Sequence, residues 1–104
     1  MTLSSIQHLQ NLQTVLQEIA SGGIEMEGHQ YDGAAFGSFT LVLAKGHKKT
    51  RFIWDGREAV LEVQCQEVQN EAIADNWVHD AFIKVTPRDA VFAEIGSNAE
   101  AILL

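Results

Sequence analysis

The sequence predicts an α+β fold. The expected architecture is an antiparallel meander sheet of three to five strands, with an N-terminal helix and one or two C-terminal helices packed on one face. Three observations predict it. A helical apolar period runs over residues 4–20, a period of two runs through the middle of the chain, and turn residues separate the alternating segments. Strands grouped between helices argue for this class rather than for a parallel sheet.

In residues 4–20, Ile6, Leu9, Leu12, Leu16 and Ile19 recur at spacings of three and four, with Val15 beside them. Gln7, Gln10, Gln13 and Gln17 take much of the other side, and His8, among the glutamines, reads as a surface residue. Ser4 or Ser5 can cap the start with a hydroxyl, and Gly22 and Gly23 can adopt the left-handed backbone that ends a helix. Residues 24–31 alternate weakly and form a first expected strand. Residues 36–45 form a second, with Phe39, Leu41 and Leu43 on one face. Gly46-His47-Lys48-Lys49 is the expected turn. Residues 50–54 then place Phe52 and Trp54 opposite Ile53, and Asp55-Gly56 reads as a two-residue hairpin turn. Over residues 58–67, Ala59, Leu61, Val63 and Cys65 alternate against Val60, Glu62, Gln64 and Gln66, the pattern of a sheet buried on one face.

The last third offers weaker patterns. Asn70 can cap a short helix over 71–80, with Ile73 and Trp77 inward. Residues 81–86 read as a strand, because β-branched residues cluster there and Thr86 precedes a proline. Thr86-Pro87-Arg88-Asp89 looks like a helix start, with a threonine cap and proline at the first helical position. That helix is expected to reach about Ile95, pause at Gly96, and resume after a Ser97 cap in a final turn ending Ile102-Leu103-Leu104. The expected core comprises Leu9, Leu16, Leu41, Leu43, Phe52, Leu61 and Val63.

A chain of 104 residues, 46% hydrophobic and 20% charged, suits one globular domain over residues 1–104. Its one cysteine, Cys65, excludes an intramolecular disulfide. The first basic residue is Lys45, which argues against a charged leader, and no apolar run approaches the roughly 18 residues of a membrane span. A cytoplasmic, non-membrane protein is the expectation. The net charge of −7 disfavours nucleic acid and anionic membrane as partners, since most of the surface would repel them.

Five groups of residues invite chemistry. Lys45, His47, Lys48, Lys49 and Arg51 concentrate four of the seven basic side chains with a histidine. They can bind an anion or an acidic partner, or simply keep a hairpin tip soluble. Glu25, Glu27, His29 and Tyr31 share one face of an unbroken strand, where carboxylates and an imidazole can hold a metal or exchange protons. A solvated edge strand is the plainer explanation, since nothing else in the sequence fixes a third or fourth ligand. Glu71, Asp75 and His79 share a face if their segment is helical, as a catalytic pair or an ordinary surface ion pair. Cys65 falls at an inward position and reads as a small core residue. Trp77 can close a pocket between sheet and helices.

No stretch carries a specific catalytic, metal or cofactor motif, so no catalytic residue, metal site or cofactor is assigned. The leading expectation is a small non-enzymatic binding or protein-interaction domain that forms a homodimer through a terminal segment. The alternatives are a small-ligand-binding domain or enzyme with a pocket between sheet and helices, and an acidic inhibitor or antitoxin-like protein that masks a basic partner.

Overall fold

Alternation of apolar side chains from Phe39 onward forces a sheet with one buried face, and the order of the elements makes it a meander. A computed structural model describes residues 2–67, 77–87 and 90–104. Helix α1 (Thr2–Ala20) precedes strands β1 (Glu25–Asp32), β2 (Ser38–Lys45), β3 (Lys48–Asp55), β4 (Val60–Glu67) and β5 (Val78–Lys84), and helix α2 (Val91–Leu103) closes the chain. The five strands lie in sequence order, each antiparallel to the next, with β1 and β5 at the edges. The fold is α+β, and the described residues form five strands and one helix after them.

Cross-strand register sets the core. Leu41 lies opposite Phe52, and Phe52 opposite Val63, while Trp54 lies opposite Leu61. Leu41, Leu43, Phe52, Leu61 and Val63 are fully buried, as the period of two requires. Both helices cover this inner face. Helix α2 packs over β3 and β2, α1 lies over β1, and the helices pack against each other. Val91, Ile95, Ala99 and Leu103, each four residues apart, form the buried line of α2.

Five expectations need correction. Leu9 and Ile6 are not core residues; they stand 57% and 50% exposed. The buried line of α1 is instead His8, Leu12, Val15 and Ile19, which keeps the same spacing but turns the helix about its axis, and Leu16 is only half-buried. Gly96 does not interrupt α2. It lies mid-helix, where an added Cβ would come within 3.1 Å of Val15 Cγ2, so the glycine permits the close approach of α1 and Ser97 caps nothing.

The expected two-residue turn at Asp55-Gly56 is a four-residue loop, because Asp55 still pairs with Val60. Asp55 Oδ1 accepts from the Arg57 and Glu58 backbone N–H groups and shapes the loop. Gly56 serves another purpose there: a Cβ would overlap the Phe36 carbonyl oxygen. Finally, Thr86 and Pro87 form a bend joined by a cis peptide bond rather than a helix start, and α2 begins at Val91. The Pro87 carbonyl accepts from Ala90 N–H and leads the chain into the helix. Residues 78–80 of the expected 71–80 helix belong to β5, while Asn70, Glu71, Ile73 and Asp75 fall outside the described residues.

Candidate functional site: two histidine centres on opposite faces of the sheet

A bulge in β1 decides which of its polar residues face the helices. Met26 pairs with Leu43 and Gly28 with Val42, which leaves Glu27 as the extra residue. The alternation therefore shifts by one. Glu25 and Glu27 sit on the outer, uncovered face, where Glu27 Oε2 lies 2.9 Å from Lys49 Nζ. His29 and Tyr31, opposite Leu41 and Phe39, sit on the inner face. The expected cluster of Glu25, Glu27, His29 and Tyr31 is thus split across the two faces.

On the inner face His29 meets a partner that the sequence reading placed on the surface. His8 of α1 is only 6% exposed, and its Nε2 lies 2.8 Å from His29 Nε2. The ring centroids are 5.0 Å apart at an interplanar angle of 14°, so the imidazoles meet head to head in nearly one plane. Tyr31 stacks on His8 at 4.1 Å and 23°, with Phe39 and Phe92 tilted at 4.8 and 5.5 Å. Burial pushes the His8 pKa from 6.5 down to about 4, with the charge of His29 adding to the effect. Burial also lowers His29. A charged imidazole loses its hydration in this aromatic enclosure, so both rings are held neutral at neutral pH.

The outer face carries the second centre. Arg51 Nε donates to Gln64 Oε1 at 2.6 Å, and Gln64 Nε2 donates to Glu62 Oε2 at 3.0 Å. The same carboxylate oxygen lies 2.9 Å from His79 Nδ1. The chain therefore runs Arg51–Gln64–Glu62–His79 across three strands. Arg51 lies 4.7 Å from the Trp77 ring centroid, and His79 tilts over Phe82 at 4.3 Å. The His79 hydrogen bond holds the Glu62 carboxyl below its usual range, against a smaller opposing effect of burial and with help from Gln64, His79 and Arg51.

The remaining expected residues disperse. Gly46 and His47 alone form the β2–β3 loop, for Lys45 pairs with Lys48 across it. His47 and Lys48 are exposed at this tip, whereas Lys49 and Arg51 are engaged on the outer face, so the five residues do not converge on one anion. His79 belongs to β5 and pairs with Glu62 rather than along a helix with Asp75, which falls outside the described residues. Trp77 packs by Arg51 on the outer face, not over a pocket between sheet and helices. Cys65 is half-buried, and burial, then the charge of Asp80, push its thiol pKa up despite a hydrogen bond with Thr50. Such a thiol is a poor nucleophile.

Two open grooves accompany these centres. One of about 510 Å³ is lined by Gln30, Asp32, Ser38, Thr40 and Ile53 among others. Another of about 370 Å³ lies between α1 and α2, lined by Gln7, Asn11, Thr14 and Phe92 among others. Among the described residues no group of three or more His, Cys, Asp or Glu is placed to hold a metal ion. None of the described helices is long and apolar enough to cross a membrane. No family model, curated protein or solved structure matches the chain.

Proposed function

We propose that the protein is a non-enzymatic interaction module that self-associates through α1. The observation that carries this reading is a helix with no charged side chain before Glu18 and with an exposed apolar flank. Every Asp, Glu, Lys and Arg of the chain lies after Gln17, although the net charge is −7. Two copies approaching elsewhere meet mostly like charge, whereas two α1 helices do not. Ile6 and Leu9 are half-exposed or more, and neither lines the groove between α1 and α2, to which α1 gives Gln7, Asn11, Thr14 and Glu18 among others. Leu16 lies on the same flank two helical turns beyond Leu9.

Direct pairing of two β1 edges is a poorer route. The bulge at Glu27 and the carboxylates of Glu25, Glu27 and Asp32 blunt that strand against edge-to-edge addition. Helix-to-helix packing about a two-fold axis, the commonest symmetry of small oligomers, buries the Ile6–Leu9 stripe instead. A cytoplasmic setting is in keeping with an unpaired Cys65 in so small a chain. Sedimentation equilibrium at micromolar concentration tests the reading. Wild type is expected well above the 11.5 kDa of one chain, and the Ile6→Ser, Leu9→Ser double variant at it. A wild-type mass of 11.5 kDa at every concentration overturns the reading.

A further inference from the structure

We propose that the His8–His29 bond is a proton-sensitive latch that holds the first half of α1 on edge strand β1 and opens when both rings are protonated. The geometry allows only some protonation states. With the two Nε2 atoms 2.8 Å apart, one must donate and the other accept. Two neutral rings satisfy this when one carries its proton on Nε2 and the other on Nδ1. One added proton keeps the bond but buries a cation. A second puts an N–H on each facing nitrogen, and two donors on two cations repel at that distance.

Among the described residues, nothing that faces the pair offsets this cost. His29 and Tyr31 come from β1, Phe39 from β2 and Phe92 from α2, and α1 itself carries no charged side chain before Glu18. Of the facing groups only His29 and Tyr31 titrate, and neither supplies a negative charge in acid. Burial lowers both histidines, with His8 falling to about 4, so an undocked helix binds more protons than a docked one between about pH 4 and 6.5. Docking therefore weakens as pH falls through that window. The second half of α1 has a separate anchor in Val15 against Gly96 and in buried Ile19, so opening is confined to the first half. The latch is a property of one chain and operates whether or not α1 meets a second copy.

Amide hydrogen exchange on the full chain tests it, with rates corrected for their intrinsic pH dependence. Between pH 7 and pH 4, protection around residues 7–12 is expected to fall at least about tenfold relative to β2 and β3. In the His8→Phe, His29→Phe variant, whose flat apolar rings suit the enclosure, that relative loss is expected to vanish. An equal loss in the variant overturns the proposal. Should the variant fail to fold, wild type alone decides. The ¹⁵N signals of the His8 ring and the protection of α1 must change with one midpoint, and a protonated His8 under a still-protected α1 overturns it.

Discussion

The two faces of the sheet hold the same residue type under opposite conditions. On the inner face His8 and His29 meet each other among Tyr31, Phe39 and Phe92, and burial opposes their charge. On the outer face His79 meets a carboxylate, Glu62, whose ionised form the pairing favours. The difference shows that surroundings decide what a histidine does here. The covered face makes a structural contact in which burial disfavours protonation, and the uncovered face makes a polar chain that tolerates solvent. The same contrast separates the aromatic residues, for Phe39 and Phe52 are core while Phe82 is 67% exposed.

The contrast is broken most forcefully in the core. Leu61→Ala or Leu41→Ala, each at a fully buried inner position, is expected to cost about 2–5 kcal/mol in denaturant unfolding. Phe82→Ala on the outer face should change stability by under about 1 kcal/mol. Equal losses on both faces would mean that the outer face is covered too.

The sheet could be read ahead of the structure because a strict period of two leaves one solution. Phe39, Leu41 and Leu43 and the facing Phe52, Leu61 and Val63 share one face by that period, and the short turns between sequential segments make a meander of them. The rotation of α1 could not be read the same way. Its apolar arc is broad, Leu12 and Ile19 fit either setting, and the deciding contact, His8 on His29, joins residues 21 apart in sequence. The signal for it lay in His8 standing four residues before Leu12, on the line that continues through Val15 and Ile19. The bulge at Glu27 was equally hidden. Glu-Met-Glu-Gly-His reads as unbroken alternation, and only the pairing with β2 separates Glu25 and Glu27 from His29. The outer chain from Arg51 to His79 depends on β5, whose first residues looked helical.

Acid sharpens the comparison. The fall of the His8 pKa from 6.5 to about 4 corresponds to about 3 kcal/mol at most. Because the folded value lies below the unfolded one, that stability is fully present above about pH 6.5 and is lost as pH falls toward about 4. Glu62 also has a folded value below its unfolded one, but as a carboxyl it contributes above 4.5 and loses that contribution as pH falls through the lowered value. Chemical denaturation at successive pH values should therefore show two losses in order. His8→Phe should flatten the upper one, and Glu62→Gln the lower. Glu62→Gln at neutral pH is the smallest effect expected, under about 1 kcal/mol, since the pair is part-exposed to solvent.

The claim that α1, rather than the outer sheet face, makes this chain an interaction module is tested most directly by sedimentation equilibrium on three proteins side by side. Wild type and Phe82→Ser should both sediment above 11.5 kDa, and Leu9→Ser should fall toward that mass. A Phe82→Ser monomer beside an intact Leu9→Ser dimer would contradict the account and move the interface to the outer face.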